Sequence, residues 1–360
     1  MSTSPTAAPR PPVVPMLAKI ADELPQGEGF LFEPKWDGFR ALVFSTSEGI
    51  YLQSRDGKPL NRYFPELEKA LGEVLPRGCV LDGEIIVSVQ GRLDFDALQQ
   101  RVHPAVSRVA RLAKETPSSF VAFDLLAAGG KSTMAVPQGE RRVRLERLVG
   151  HAKPPLYLTP MTRDRAVAVD WLKQFEGAGL DGVVAKPESL PYQPGKRAMI
   201  KIKHARTADC VVAGFRWYKE RDDAIGSLLL GLYDDAGVLQ HAGVTSSFTM
   251  AARVQLAEEL EPLRKDALEG HPWRDWANAE AHGDNRLPGA QSRWSGDKDL
   301  TWQPLRIERV CEVKYDHLQG DRFRHATTFL RWRTDKQPQD CRYDQLETAT
   351  PMELSKVFKA

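Results

Sequence analysis

The residues best suited to chemistry form one short run, Glu33-Pro34-Lys35-Trp36-Asp37-Gly38-Phe39-Arg40, of the form Lys-x-Asp-Gly-x-Arg. A lysine attacks an electrophilic phosphorus only when its amine is neutral, so it needs cationic neighbours or desolvation to lower its pKa. Asp37 is placed to orient the amine, Gly38 lets the backbone turn tightly against a ligand, and Arg40 offers a guanidinium to phosphate. At ordinary residue usage Lys-x-Asp-Gly arises by chance in roughly one chain of this size in ten. A turn before a strand explains it equally well, so the order of motifs downstream decides.

Further elements come in a fixed order: Ser54-Arg55-Asp56-Gly57, Leu81-Asp82-Gly83-Glu84, Val121-Ala122-Phe123-Asp124, Asp181-Gly182-Val183-Val184-Ala185-Lys186, Lys201-Ile202-Lys203 and Arg333-Thr334-Asp335-Lys336. In this order the chain resembles the covalent nucleotidyltransferase superfamily. Within it, the resemblance is to the ATP-dependent DNA ligases of bacterial repair, of the ligase C type and related to the ligase domain of ligase D. The likeness runs from about Met16 to Lys336.

The resemblance implies that Lys35 attacks the α-phosphate of ATP and carries AMP as a phosphoramidate. It places Glu33 and Pro34 against the adenine, and Arg40 and Arg55 at the phosphate or ribose. Glu84, a carboxylate acceptor on a strand, suits ribose hydroxyls or a metal; by itself it reads as an exposed strand glutamate. Phe123 offers a flat face to a purine, or packs in a core. Lys186, Lys201 and Lys203 bring cations to strand ends. Residues 201 and 203 share a strand face, so both can point at one phosphate and lower the pKa of Lys35; a solvated edge strand is the competing explanation.

At Asp181-Gly182 most of the family has Glu-Gly. Aspartate keeps an oxygen for Mg²⁺ or Mn²⁺ but reaches one methylene less far, leaving direct and water-bridged contacts both open. Arg333 and Lys336, with Arg331 and Asp335, are implied to close over the nucleotide and orient pyrophosphate, then swing away, with a hinge at 203–207.

The elements that must position these groups are mixed. Strands are expected at 29–34, 38–45, 50–54, 80–89 and 119–125, interspersed with helices at 64–75, 94–100, 139–150 and 164–177. Without a βαβ rhythm this is an α+β, largely antiparallel adenylation domain, spanning 16–204 after an irregular Pro-rich leader at 1–15. From Asp209 the pattern turns β-rich, with one helical run at 250–263, which fits an all-β OB-fold barrel over 205–350, and a tail at 351–360 ends the chain. The stretch 272–304, with Trp273, Trp276, Trp294 and Trp302, is expected to be a functional or packing loop.

With 42% apolar and 27% charged residues the chain reads as globular, and two domains suit 360 residues. No run approaches a membrane span and the start lacks a signal core, so a cytoplasmic protein is expected, nucleoid-associated when bound to DNA. Cys79, Cys210, Cys311 and Cys341 are too far apart for zinc pairs and read as structural thiols. A net charge of +2 announces no polyanion partner, but residues 196–206 and 322–336 concentrate cations.

The reading is an ATP-dependent DNA ligase, using ATP with Mg²⁺ or Mn²⁺ to seal nicked double-stranded DNA in repair. It is expected to be monomeric, with separate repair polymerase, primase or end-joining proteins as possible partners. The rivals are an RNA ligase or other nucleotidyltransferase, and a non-catalytic single-strand-binding barrel protein.

Overall fold

Short apolar runs broken by Gly, Pro and Asp put most of the first half of the chain into strands. The computed structural model describes residues 6–359 apart from 205, 275–300, 317 and 347–349. Trp276, Trp294, residue 205 of the expected hinge and residues 1–5 of the leader lie outside the described residues. Contacts gather into two units, Met1–Lys203 with Ala349–Ala360, and His204–Thr348.

The first unit holds strands β1 (Leu17–Ala21), β2 (Phe30–Lys35), β3 (Phe39–Thr46), β4 (Gly49–Ser54), β5 (Cys79–Val89), β6 (Arg92–Leu93), β7 (Ser118–Ala128), β8 (Lys131–Ser132), β9 (Leu156–Leu158), β10 (Gly182–Pro187) and β11 (Arg197–Lys203). Its helices are α1 (Pro65–Val74), α2 (Phe95–Gln100), α3 (Val106–Glu115), α4 (Gln138–Val149) and α5 (Arg165–Gln174). Sequence patterning had not indicated β1, β9 or α3. β1 and β9 are short, and Ile20 of β1 is exposed, so neither carries a strong alternating pattern. α3 buries only Val109 and Leu112.

Two sheets result. The larger runs β4-β3-β5-β7-β8, with β6 on β5 and β9 on β7; the smaller runs β1-β11-β10-β2. Pairing is antiparallel except at β1/β11 and β7/β9, as an α+β class requires. One face of the larger sheet packs Phe120, Ala122 and Leu125 against Leu145 and Val149 of α4. Phe32, Val183, Ala185 and Ile202 of the smaller sheet pack with Ala168 and Trp171 of α5. That leaves the opposite face of the small sheet for polar work.

In the second unit, β12 (Arg206–Trp217), β13 (Ile225–Tyr233), β14 (Leu239–Thr245), β15 (Gln303–Pro304), β16 (Val310–Tyr315), β17 (Leu318–Gln319), β18 (Arg322–Phe323) and β19 (Thr328–Trp332) surround one core, with helix α6 (Met250–Leu260) packed on it. The ladder β14-β13-β12-β16-β19 is antiparallel, and Thr327 N–H donates to Val244 O at 2.8 Å, returning the last strand to the first. A closed small barrel of the expected OB type results. Leu228, Leu229 and Leu230 are all fully buried, each contributing roughly 1.5–3 kcal/mol, which is why this continuous apolar run must lie inside. Trp273 and Trp302 pack on this core, and the Trp273 indole donates to Leu239 O at 2.7 Å, so these two tryptophans serve packing. All four cysteines are free and buried.

Residues 351–359, within the expected tail, dock on the first unit. Met352 N–H donates to Gly177 O at 3.1 Å and Leu354 N–H to Gly91 O at 2.7 Å, before helix α7 (Leu354–Val357) buries Leu354 and Val357. Leader residues are also engaged: Ala8 N–H donates to Gly130 O at 2.9 Å.

Candidate active site

Strand register assembles the polar face of the small sheet. Lys35 of β2 stands opposite Gly182 of β10, which stands opposite Lys203 of β11; Glu33, Val184 and Lys201 form the next row. Residues directly opposite share a face, and the period of two adds Lys186 to it. Glu33, Lys35, Lys186, Lys201 and Lys203 therefore face the same way because three non-consecutive strands align in this register. Gly182 is required in the Lys35 row: its φ is +140°, and a Cβ there would strike the Ile202 carbonyl.

The larger sheet supplies the other side. Arg40 of β3 and Glu84 of β5 are a cross-strand pair. A register shift opposite Asp82 and Gly83 leaves Phe123 as the additional residue of β7, the kind of bulge that re-aims a side chain. Gly38, between β2 and β3, lies so close to Ile85 O that a Cβ would collide with it. Together the two sheets line a cavity of about 210 Å³ that includes Glu33, Pro34, Lys35, Arg40, Arg55, Glu84, Phe123, Lys186 and Lys201. Lys203 joins this group through Asp181, 3.1 Å away.

Charges within the site are paired in specific ways. Asp181 N–H donates to Lys35 O at 2.9 Å, and the Lys35 ammonium donates back to the Asp181 carboxylate. Burial pushes the Asp181 carboxyl up, but Lys35 and Lys203 outweigh it and hold the group below the usual carboxylate range. Burial also lowers Lys201, reinforced by Lys35 and Lys203. Glu84 is pushed up to about 7 by burial, with Arg40 and Lys35 opposing the rise.

Glu33 is 2% exposed and sits between Lys186 at 2.6 Å and Arg142 at 3.3 Å. Lys186 also donates to Phe123 O at 2.9 Å, and its ammonium lies 4.8 Å from the Phe123 ring centroid. Arg142 further donates to Thr159 O at 2.9 Å, while the Trp36 indole donates to Thr159 Oγ1 at 2.8 Å. One polar network thus ties Glu33 to the residue next to Lys35.

The structure qualifies three expectations. The Arg40 guanidinium is held by Asp82 through contacts of 2.5 and 2.6 Å, and Tyr192 Oη donates to the same carboxylate at 2.7 Å, so Arg40 belongs to a buried network as well as to the cavity wall. Although burial favours the neutral form, Asp82 raises the Arg40 pKa. Asp37 does not line the cavity, and the carboxylate on Lys35 is that of Asp181, the residue expected near a metal. Arg333 and Lys336 lie in the barrel unit, both on Asp209: Arg333 Nη1 is 2.9 Å from each carboxylate oxygen and Lys336 Nζ is 2.6 Å from one. Arg333 also forks onto Asp335 at 2.9 and 2.7 Å.

Asp82 stands in the Leu81-Asp82-Gly83-Glu84 element but was given no role, and sequence reasoning missed Arg142, Thr159, Tyr192 and Asp209, the other partners that hold the named residues. No local spacing marks them; Arg142 and Glu33, for example, are 109 positions apart. Arg197, exposed at the cavity rim, was legible only as part of a basic run. Among the described residues no cluster of three or more His, Cys, Asp or Glu could hold a metal, and no helix is long and apolar enough to cross a membrane.

Known proteins match this arrangement along most of the chain. Residues 15–203 match the family model described as ATP dependent DNA ligase domain, and residues 221–336 match ATP dependent DNA ligase C terminal region. DNA ligase C2 of Mycolicibacterium smegmatis is 51% identical over 341 residues, 94% of this chain and 95% of its own length. The multifunctional non-homologous end joining DNA repair protein LigD of Mycobacterium tuberculosis is 29% identical over 316 residues, covering 86% of this chain and 37% of its own. A solved Lig E DNA ligase shares the fold, with a TM-score of 0.55 at 17% identity over 89% of this chain and 100% of its own. With both regions matched in order, the first of them carrying the cavity that Lys35 lines, the chain belongs to the ATP-dependent DNA ligase family.

Proposed function

We propose that this ligase seals nicks bearing a 5′-phosphate and a 3′-hydroxyl by carrying AMP on Lys35. The observation that carries the reading is the row Lys35, Gly182, Lys203, which sets the amine at the cavity edge beside Asp181 and a second ammonium. In the first step Lys35 Nζ, neutral after loss of a proton to solvent, bonds to the α-phosphorus of ATP as the bond to the bridging oxygen breaks and pyrophosphate leaves. Asp181 orients the amine, and Lys201 and Lys203 offset phosphate charge. AMP then passes to the 5′-phosphate at the nick, and the adjacent 3′-hydroxyl attacks that phosphate and expels AMP.

Side chains on the cavity wall divide the nucleotide between them. Phe123 offers its ring to the purine, Glu33 and Pro34 border the adenine, and Glu84 accepts from ribose hydroxyls. Arg40, Arg55 and Lys186 add positive charge for phosphate and ribose. Arg333 and Lys336 meet the leaving pyrophosphate, for which they must exchange Asp209 for phosphate oxygens.

Donors for Mg²⁺ or Mn²⁺ are sparse. Asp181 already holds two ammonium groups, and Glu84 faces Arg40 and Lys35. Such a set fits an ion carried on the nucleotide phosphates with one or two carboxylate contacts, and does not fit a protein cage. When bound, the ion neutralises phosphate charge.

The substrate is nicked duplex DNA, gripped mainly through its backbone, so binding weakens steeply with salt. The protein works as a monomer where chromosomal DNA lies. LigD, by its name an end-joining repair protein, supports a repair role for this chain alongside separate polymerase, primase or end-joining proteins. Incubation with labelled ATP and Mg²⁺, and then addition of nicked DNA, tests the reading. Label is expected on wild type, absent from Lys35→Ala and discharged by the nick; equal labelling of Lys35→Ala refutes it.

A further inference from the structure

Lys35 is the last residue of β2 and Phe39 the first of β3, so residues 36–38 lie outside the strand ladder. Their position must be fixed by something other than sheet hydrogen bonds. Trp36, next to the lysine, is 5% exposed, and its indole is held at one point by Thr159 Oγ1 at 2.8 Å. A flat ring with one hydrogen bond can still rock about it. Within the core that buries it, one face of the ring is met by a residue distant in sequence: the Phe358 ring stacks on Trp36 with centroids 5.0 Å apart and planes 19° apart. On Tyr157 the same ring stacks at 4.2 Å and 15°.

Phe358 is brought there by the strap of residues 350–359. Leu354 and Val357 bury into the same core as Trp36, and backbone hydrogen bonds join Met352 to Gly177 and Leu354 to Gly91. The first unit is shaped to receive the strap, because a Cβ on Gly177 would collide with the Thr350 carbonyl. No motif named these residues.

We propose that Phe358 is a positioning residue for lysine adenylation: sandwiched with Tyr157, it fixes the Trp36 indole and through it the peptide that carries Lys35. The proposal rests on the reading of Lys35 as the AMP carrier. Phe358 touches neither nucleotide nor DNA in this scheme. Its effect is on the placement of the amine, where a displacement of about 1 Å can cost on the order of 100-fold in rate.

The test uses the full chain carrying Phe358→Ala or Phe358→Tyr. At saturating ATP, Phe358→Ala is expected to form lysyl-AMP about 10- to 100-fold more slowly than wild type, with the ATP concentration for half-maximal rate changed less than about twofold. Phe358→Tyr keeps the flat face and recovers the wild-type rate. Sealing of a nick that already carries AMP on its 5′-phosphate needs no attack by Lys35, so Phe358→Ala retains it. Wild-type adenylation by Phe358→Ala overturns the proposal and leaves Lys35 standing. Parallel loss of adenylation and of sealing also overturns it, because that reports damage to the fold. If wild type takes no label on Lys35, the reading of the lysine fails and this proposal fails with it.

Discussion

Lys35 and Asp181 are joined twice: the Asp181 N–H donates to the Lys35 carbonyl at 2.9 Å, and the Lys35 ammonium donates to the Asp181 carboxylate. The first contact fixes the backbone carrying the lysine and the second aims its amine. Asp181→Asn keeps the backbone contact but removes the charge, and should slow lysyl-AMP formation by about 10- to 100-fold. Asp181→Glu, which restores the carboxylate, should stay well above Asp181→Asn. Labelling rates at saturating ATP and Mg²⁺ check both; equal rates for the two variants would show that the charge is immaterial.

Glu84 gives the site a pH dependence. Burial pushes its carboxyl up to about 7, against the opposing pull of Arg40 and Lys35, so the carboxylate proposed to accept from ribose is complete only above that value. The kcat/KM for adenylation should rise between about pH 6 and 8, and Glu84→Gln should lack this inflection. Because the folded value is raised, the stability this group contributes is full below its ordinary pKa of 4.5 and is lost as pH rises through 7. An unchanged inflection in Glu84→Gln assigns it to another group.

Removal of Lys186 leaves Glu33 buried with only the longer Arg142 contact. Breaking a buried pair on one side typically costs about 3–5 kcal/mol, so Lys186→Met should lower the denaturation midpoint markedly. The double variant Lys186→Met with Glu33→Gln should recover part of the loss, since no carboxylate is then stranded. Denaturant titration of the set decides, and a double variant no more stable than the single one counts against the account.

Asp209 is buried and holds both Arg333 and Lys336, whereas Asp335 is mostly exposed. Asp209→Asn should therefore lower the thermal midpoint more than Asp335→Asn does. Lysyl-AMP formation should not fall in step with it, because the two cations assigned to the leaving pyrophosphate must leave Asp209 to meet it. Thermal unfolding and labelling of both variants provide the comparison. A larger midpoint loss in Asp335→Asn contradicts the assignment.

Much of the fold was legible in local patterns. The strand expected at 29–34 is observed at 30–35 and that at 80–89 at 79–89, because apolar runs ended by Gly, Pro or Asp act over a few residues. The placement of Lys201 and Lys203 on one face needed only the period of two. In contrast, α3 was missed because only two of its side chains turn to the core, and residues 351–359 of the strap were read as a tail because little in them shows which apolar surface would receive them.

By itself the sequence determined which residue types line the cavity, since Lys35, Glu84, Phe123, Lys186 and Lys201 stand in short motifs in a fixed order. Tertiary structure decided how each is held. Register across non-consecutive strands gave Lys35 its partner Asp181, 146 positions away; burial gave Glu33 two cations and Arg40 the carboxylate of Asp82; and a returning strap placed Phe358 on Trp36. The physical reason is range. Propensity and periodicity operate between near neighbours, while a buried charge or ring must be matched by whatever group the fold brings within a few ångströms, at any separation along the chain.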